Sequence, residues 1–175
     1  MTVDIIENRE EWEAAYNGGW LKHFNETGET KWDIYKRPDN KTQPSGTGID
    51  PATAKLLLVT SAGSYLKATQ EPFDAANKLG DYTIRRYPTD TPFEALAYAH
   101  DHYDHAAVNA DPQVLIPLQH LRDMVADGKI GELAPEAVSF MGYQPDAARV
   151  ADETAPEIVA VAKALQVTAV LLVPS

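Results

Sequence analysis

Aromatic side chains recur at every fourth position near the start of the chain, and this is its first clear pattern of hydrophobic and polar residues. They are Trp12, Tyr16, Trp20 and Phe24. This spacing places them on one face of a helix, and Asn8 with Glu11 has the spacing of an N-terminal capping box. The pattern therefore predicts an amphipathic helix over residues 9–24, although Gly18-Gly19 weakens its helix propensity.

Residues 25–51 are mostly polar, contain clustered proline and glycine, and show little periodicity. Such a stretch is typical of an irregular arm that lies along the surface of a domain. We expect Trp32, Ile34 and Tyr35 to anchor this arm. The chain is therefore divided into an N-terminal helix and arm, residues 1–50, and an α/β domain, residues 51–175.

Beyond residue 54, apolar runs of strand length alternate with helical patterns. The predicted strands are residues 56–59, 82–87, 137–141 and 167–173. Three helices are predicted to begin at Thr91, Pro117 and Thr154, the first and third in capping boxes and the second ending at Gly128. The apolar stripe of the second predicted helix is Leu118, Leu121 and Val125. That of the third predicted helix is Ile158, Val161 and Leu165. This alternation predicts a three-layer α/β fold, with helices flanking a mostly parallel sheet.

The first and last predicted strands are continuous apolar runs, as expected of strands buried on both faces of a parallel sheet. The sequence contains no later segment to pair with the free side of the last strand, residues 167–173. An unpaired strand edge tends to pair with another chain. We therefore expect a homo-oligomer, or a partner chain, that covers an exposed sheet edge.

Composition and charge exclude several functional classes. The 175 residues contain no cysteine, which excludes disulfides, thiolate metal sites and a cysteine nucleophile within this chain. The net charge is −11 and no segment is basic, which argues against a nucleic-acid partner. The longest apolar run is far shorter than the roughly 20 residues that cross a bilayer, and the N-terminus does not resemble a signal peptide. We expect a cytoplasmic protein with no membrane partner.

Three of the five histidines lie in the segment His-Asp-His-Tyr-Asp-His, residues 100–105. The order matches the HxHxDH pattern of metallo-β-lactamase-like hydrolases, in which imidazoles and a carboxylate hold zinc and lower the pKa of its water. A metal-dependent hydrolase using His100, His102, Asp104 and His105 is therefore one hypothesis. That fold needs further ligands downstream, and only His120, inside a predicted helix, remains.

Two other interpretations of this segment need no metal. The histidines could cap and hydrogen-bond a helix start, with Asp104 orienting one imidazole. Alternatively, the segment could bind a substrate or handle protons near neutral pH.

A run of small residues, Thr60-Ser61-Ala62-Gly63-Ser64-Tyr65, directly follows the first buried strand. In open α/β sheets, ligands bind beyond the carboxyl ends of the strands, and small residues allow backbone N–H groups to approach an anion such as a carboxylate. The alternative is a tight turn chosen for packing. Residues 139–143 follow another predicted strand to the same edge, where they belong either to the core or to the site.

Many short motifs occur in an order that resembles one family. They are LLLVTSAGSYLK at 56–67, PFD at 72–74, DTPFE at 90–94, HYDHAA at 102–107, PLQHLRDM at 117–124, GKIGELAP at 128–135, SFMGY at 139–143, ETAPEI at 153–158 and AVLLVP at 169–174. Together they resemble the selenoprotein B family of the glycine, sarcosine, betaine and D-proline reductases, over about residues 50–174. The resemblance implies an α/β oxidoreductase component that attacks an amine-bearing carbon through a selenolate or thiolate. It also implies a partner subunit whose pyruvoyl group holds the substrate amine, with no cofactor on this chain.

The resemblance also assigns candidate site residues. The substrate-binding candidates are Ser61, Ser64, Tyr65, Tyr103 and Ser139, and the proton-handling candidates are His102, Asp104 and His105. A divalent metal enters only through the hydrolase hypothesis.

One departure from the family pattern changes the expected activity. In the family, the reactive selenocysteine or cysteine follows the strand that reads AVLLVPS here, and a long second half comes after it. This sequence stops at Ser175 without a cysteine, so no residue corresponds to the nucleophile. We expect a half-length reductase component, either truncated at a UGA codon or a natural short paralogue, that is inactive alone. Its expected partner is the C-terminal half or a pyruvoyl-type reductase subunit, and a module that binds a small anion or a partner is the non-enzymatic alternative.

Overall fold

The computed structural model describes residues 6–42, 48–100 and 103–175. Its strands in these ranges are β1 (Lys55–Thr60), β2 (Ser64–Leu66), β3 (Ile84–Pro88), β4 (Leu96–Tyr98), β5 (Glu132–Leu133), β6 (Glu136–Phe140) and β7 (Ala169–Val173). Its α-helices are α1 (Arg9–Ala15), α2 (Lys22–Thr27), α3 (Ala106–Ala110), α4 (Leu118–Ala126), α5 (Ala147–Arg149) and α6 (Ala155–Ala164). π-Helical turns lie at Tyr16–Leu21 and Val150–Thr154, and 3-10 turns at Trp32–Ile34, Pro51–Thr53, Phe93–Ala95 and Pro112–Val114.

The main sheet is mixed and mostly parallel, as predicted. β1 lies at its centre, parallel to β7 on one side and to β5 and β6 on the other. β3 adds an antiparallel strand outside β6, while β2 and β4 form a separate two-stranded antiparallel sheet. The strands predicted at 56–59, 82–87 and 137–141 are therefore confirmed to within two residues at each end.

The side chains of β1 alternate between the two faces of the sheet. Apolar residues point to both faces, and helices cover both of them. Leu58 packs in one cluster with Leu118 and Leu121 of α4. Leu57 packs in the opposite cluster with Val161 of α6. Both leucines are fully buried, and burying such a side chain stabilises the fold by about 1.5–3 kcal/mol. The predicted three-layer α/β architecture is confirmed.

The helix predicted from Pro117 is confirmed together with its C-terminal cap. Gly128 has a φ of +70°, the left-handed conformation that favours glycine. Its N–H donates to the Val125 carbonyl at 3.0 Å, and the N–H of Lys129 donates to the Met124 carbonyl at 2.8 Å. These two bonds form a Schellman motif.

The N-terminal helix is longer than predicted and contains a π-helical turn. It continues from Arg9 to Thr27, with the weak Gly18-Gly19 pair inside the π turn. The predicted capping box is wrong, because the Asn8 side chain makes no cap bond to α1. Its Oδ1 instead accepts from the backbone N–H of Asp39 at 2.9 Å, which ties the arm to the helix start.

Two predicted helix starts are also wrong. The sequence at Thr91 forms only the 3-10 turn Phe93–Ala95 and then enters β4. The helix predicted from Thr154 begins at Ala147, where Asp146 Oδ1 accepts from the N–H groups of Ala148 and Arg149. Thr154 is therefore inside the helix and does not cap its start. Its hydroxyl instead donates to the Tyr82 carbonyl at 2.8 Å.

The arm has one firm anchor, Tyr35, and one weaker anchor, Trp32. The Tyr35 hydroxyl donates to the Pro145 carbonyl at 2.8 Å. Trp32 is about half exposed, although its ring lies edge-on to Tyr143 with centroids 5.8 Å apart. Ile34 is exposed, so its prediction as an anchor is wrong.

The last strand forms as predicted and pairs with β1, but the prediction that it is buried on both faces is wrong. Val170 is 45% exposed and Leu172 is 68% exposed, because within the described residues β7 is an edge strand that pairs only with β1. No helix in the described part of the chain combines the length and apolar character that a membrane crossing requires.

Candidate functional site

A cleft of about 730 Å³ opens at the carboxyl ends of β1, β6 and β7. It is lined by Val59, Ser61, His100, Phe140, Gly142, Tyr143, Leu172, Val173, Pro174 and Ser175. These three strands run in the same direction, so the segments that follow them meet at one edge of the sheet. The cleft is mostly apolar and has a small number of polar groups, as binding sites for small molecules commonly do.

Ser61 joins the end of β1 to the segment after β7. Its N–H donates to the Val173 carbonyl at 3.1 Å. Its Oγ accepts from the Ser175 N–H at 2.8 Å and lies 3.0 Å from the Ser175 Oγ. The Ser175 hydroxyl donates to the Ser61 carbonyl at 3.1 Å. The substrate-binding candidate Ser61 is therefore held at the wall of the cleft by a local network.

Among the histidines that the structure describes, His100 lines the cleft, and it is buried. A Cβ added at Gly142 would lie 3.2 Å from His100 Nε2 and 3.3 Å from Ser61 Oγ. The imidazole nitrogen and the hydroxyl therefore converge on the backbone of residue 142, and a glycine there leaves room for both. The sequence analysis named His100 individually only as a metal candidate, and it included Gly142 only as part of segment 139–143.

Gly63 brings the segment before His100 against the end of β6. Its N–H donates to the Phe140 carbonyl, and the Ala99 N–H donates to the Gly63 carbonyl, both at 2.9 Å. Its φ is +63°, and an added Cβ would lie 2.6 Å from the Ala99 carbonyl oxygen. Only glycine fits this crossing without strain.

Ser64 and Ser139 lie in the protein interior, both fully buried. The Ser139 Oγ accepts from the N–H of Ser64 at 2.8 Å and from its hydroxyl at 2.9 Å. The Ser64 Oγ lies 2.8 Å from the hydroxyl of Tyr87, whose pKa is raised by burial and partly lowered by this bond. The structure thus places both serines in a satisfied hydroxyl network, and their assignment to substrate binding stays a prediction.

The remaining substrate-binding candidates are tyrosines. Tyr65 lies in β2, opposite Ala97 of β4, and is half-buried. The Tyr103 hydroxyl donates to the Ala62 carbonyl at 3.1 Å, and burial raises its pKa to about 12. Its ring stands between two imidazoles, with centroids 4.8 Å from His100 and 4.6 Å from His105.

The structure describes two of the three proton-handling candidates, and both make hydrogen bonds to nearby backbone groups. His105 Nε2–H donates to the His100 carbonyl at 2.6 Å. Asp104 Oδ1 accepts from the Ala106 N–H at 2.8 Å, at the start of α3. His102 lies outside the described residues. His105 therefore holds the backbone of His100 through this hydrogen bond. The proton-handling roles of His105 and Asp104 stay predictions.

No group of three or more histidine, aspartate or glutamate side chains in the described ranges could hold a metal ion. This includes the candidates His100, Asp104 and His105. His120 is exposed on α4, with its N–H bonded to the Gln113 side chain at 3.0 Å. The described residues thus give the hydrolase hypothesis no ligand set, and a divalent metal remains untested.

The arrangement can hold a small polar group and transfer a proton in a largely apolar cleft. An imidazole changes its charge near neutral pH and can act as a general acid or base, and here it converges with a hydroxyl at the edge of the sheet. The signal that could have identified Gly142 is its position directly beyond a predicted strand. For His100, no pattern distinguishes it from its neighbours.

Comparisons with known proteins agree with the motif order. A family model described as glycine/sarcosine/betaine reductase selenoprotein B matches residues 28–175. The D-proline reductase subunit gamma of Acetoanaerobium sticklandii is 36% identical over 117 residues, 67% of this chain and 47% of that protein. The glycine reductase complex component B subunit gamma of Peptoclostridium acidaminophilum is 34% identical over 96 residues, 54% of this chain and 22% of that protein. The chain spans about half or less of the length of these curated relatives. No solved structure matches it.

Proposed function

The chain belongs to the glycine/sarcosine/betaine reductase selenoprotein B family, and on this premise we propose that it is a component B-type subunit of a reductase complex. Such a complex would cleave the carbon–nitrogen bond of a small amine-bearing acid reductively. Both curated relatives described above are named as subunits of reductases. The resemblance drawn from the motifs is confirmed, and the family match extends beyond them to residue 28.

One observation carries the proposal: His100 Nε2 and Ser61 Oγ converge beside Gly142 in an apolar cleft at the carboxyl edge of the sheet. In the reaction, a selenolate or thiolate forms a bond to the carbon as the carbon–nitrogen bond breaks. The electron pair leaves with the nitrogen, which needs a proton. His100 is the group that would supply this proton, and Ser61 would orient a polar group of the substrate.

The nucleophile must come from outside these 175 residues, because they contain no cysteine. A two-electron reduction of this kind needs a dithiol that is oxidised to a disulfide and then reduced again, and hydroxyl and imidazole groups cannot form such a couple. We therefore include two partners in the proposal: a polypeptide that carries the selenolate or thiolate, and a subunit whose pyruvoyl group holds the substrate amine.

The experiment is a reconstitution assay. Reduction of glycine, sarcosine, betaine and D-proline is measured with dithiothreitol, first with this chain alone and then with candidate partner subunits. We expect no turnover by the chain alone and turnover on reconstitution. The nucleotide sequence after codon 175 tests whether a UGA codon and an in-frame continuation supply the nucleophile.

A pair of matched histidine variants tests the role of the cleft. His100→Ala should lower the reconstituted rate by about 100-fold or more, the usual contribution of a positioned acid or base. His120→Ala, on the exposed face of α4, should leave it unchanged. Turnover by the isolated chain, or full activity of the His100→Ala complex, would contradict the proposal.

A further inference from the structure

Tyr143 lies between two cavities, a position that the proposed reaction does not use. It lines the cleft of about 730 Å³. It also lines a neighbouring pocket of about 310 Å³, together with Thr30 and Trp32 of the arm and residues 75–78. Among the described lining residues, Tyr143 is the one that both cavities share. Its side chain therefore separates them, and we refer to it as the partition.

The partition is held in place from the side of the smaller pocket. The Tyr143 hydroxyl donates to the Lys78 carbonyl at 2.9 Å. The ring lies edge-on to Trp32, with centroids 5.8 Å apart and planes 79° apart, a geometry that stabilises aromatic pairs. Lys78 and Trp32 both belong to the wall of the smaller pocket. The hydroxyl and the ring are thus both fixed, so the side chain has a defined orientation at the cleft.

The backbone of the same segment is held by two distant parts of the chain. The Tyr35 hydroxyl of the arm donates to the Pro145 carbonyl at 2.8 Å. Gly80 has a φ of +86°, and an added Cβ there would lie 2.8 Å from the Tyr143 carbonyl oxygen. The turn at Gly80 therefore packs directly against the backbone of Tyr143. These contacts make the partition a fixed part of the cleft wall.

We propose that Tyr143 is a specificity-determining residue, whose ring limits the size of the substrate group that fits beside the proton donor. Its neighbour Gly142 is the point on which His100 Nε2 and Ser61 Oγ converge. A small substrate fits in front of the ring, whereas a larger one needs the space that the ring occupies. A wall that clashes with the larger ligand favours the smaller one. The identity of the substrates rests on the proposed function.

The first test measures the partition without any turnover. Ser61→Cys places the only thiol of the chain at the cleft wall. Iodoacetamide and iodoacetanilide alkylate a thiol by the same reaction, and the second reagent is larger by a phenyl ring. The ratio of the two rates therefore reports how much room surrounds the thiol. Val114→Cys, at an exposed position that lines neither cavity, gives the ratio for an unhindered thiol.

Three variants of the Ser61→Cys chain separate the ring from its supports. Tyr143→Ala should raise the rate of iodoacetanilide relative to that of iodoacetamide about tenfold, because the two cavities join. Tyr143→Phe keeps the ring and should keep the low ratio. Tyr35→Ala removes a support of the same segment but not the partition, so it should change both rates alike. Circular dichroism checks folding. If Tyr143→Ala does not fold, Tyr143→Leu replaces it and should raise the ratio by a smaller factor.

The second test uses the reconstituted complex. Tyr143→Ala should lower the KM for D-proline relative to that for glycine about tenfold, and should change KM more than kcat, because His100 stays in place. The proposal is overturned if Tyr143→Ala and Tyr143→Phe give the same ratio of alkylation rates, or if Tyr35→Ala raises this ratio as much as Tyr143→Ala. A shifted ratio without turnover in any reconstituted mixture would support the partition and contradict the proposed function instead.

Discussion

Ser61 and Ser64 lie three residues apart, one directly after β1 and the other at the start of β2, yet their surroundings differ. Ser64 is buried with Ser139 and Tyr87, and every hydroxyl of that network has a partner. Ser61 faces the cleft with His100 and bonds to the segment after β7. We refer to the first group as the buried hydroxyl network and to the second as the cleft wall.

The difference shows that residue type and position in the chain do not separate serines buried in the interior from serines that line the cleft. A buried hydroxyl that loses its partner destabilises the protein by its desolvation cost, so the buried network should govern stability. Ser61 is also buried, at 8% exposed, but it lines the cleft, where water can replace a lost hydrogen-bond partner. The cleft wall should therefore govern reactivity and binding, with little effect on folding.

The largest expected effect is at Gly63, which joins both regions. Gly63→Ala places a Cβ 2.6 Å from the Ala99 carbonyl oxygen at a φ of +63°. We expect it to lower the free energy of unfolding by about 2–4 kcal/mol, since backbone strain and a steric clash add. Urea denaturation measures this loss. Gly18→Ala, at a position with no neighbour within 4 Å of its Cβ, is the control and should not destabilise the protein.

The buried network and the cleft wall can be compared directly by alanine substitution. Ser139→Ala removes the acceptor of both the Ser64 N–H and the Ser64 hydroxyl, and should cost about 1–3 kcal/mol of stability. Ser61→Ala should cost less than about 1 kcal/mol, because its bonds lie at the cleft surface. Equal losses in thermal and urea denaturation would show that the two regions do not differ as described.

An engineered thiol tests the electrostatics of the cleft wall. Ser175→Cys would place the only thiol of the chain beside Ser61, in the cleft that His100 lines. A neighbouring imidazole can accept the proton of a thiol, so iodoacetamide at pH 7 should alkylate it about tenfold faster than Val114→Cys. Adding His100→Ala should remove most of this difference. Equal rates in the two single-cysteine chains would mean that the cleft does not activate a nucleophile.

The smallest expected effect concerns Tyr98, whose buried hydroxyl has no hydrogen-bond partner among the described residues. Tyr98→Phe should leave stability at pH 7 unchanged or raise it by up to about 1 kcal/mol, because an unsatisfied buried hydroxyl is removed. Tyr87→Phe, which breaks the bond to Ser64, is the matched comparison and should destabilise the protein.

The same variant sharpens the pH dependence. Burial raises the pKa of Tyr98 to about 12, from an ordinary value of 10.0. A group whose folded pKa is raised contributes stability that is complete below the unfolded pKa and is lost as the pH rises through the folded pKa. Stability should therefore decline between about pH 10 and 12, and less steeply in Tyr98→Phe. An identical alkaline profile for the variant would contradict this assignment.

Local periodicity determined much of the fold. The apolar run at 56–59, the stripe of α4 and its Gly128 cap depend on residues close together in the chain, so the sequence alone predicts them. The sequence alone also predicts at which edge of the sheet the candidate site lies. The strands that lead to this edge are parallel, and the sequence shows where each of them ends. The order of the motifs was sufficient to identify the family.

Tertiary structure decided which side chains face the cleft. His100 lines it, while His105 bonds to a backbone carbonyl. Gly63 bonds to Phe140 and Ala99 and so holds the segment before His100 at the end of β6, and the backbone at Gly142 approaches the His100 imidazole. Thr154 and Asn8 have capping spacing but bond to Tyr82 and Asp39, more than 30 residues away. The exposure of β7 likewise depends on which strands flank it. Each outcome depends on contacts between segments distant in the chain, and periodicity carries no information about such contacts.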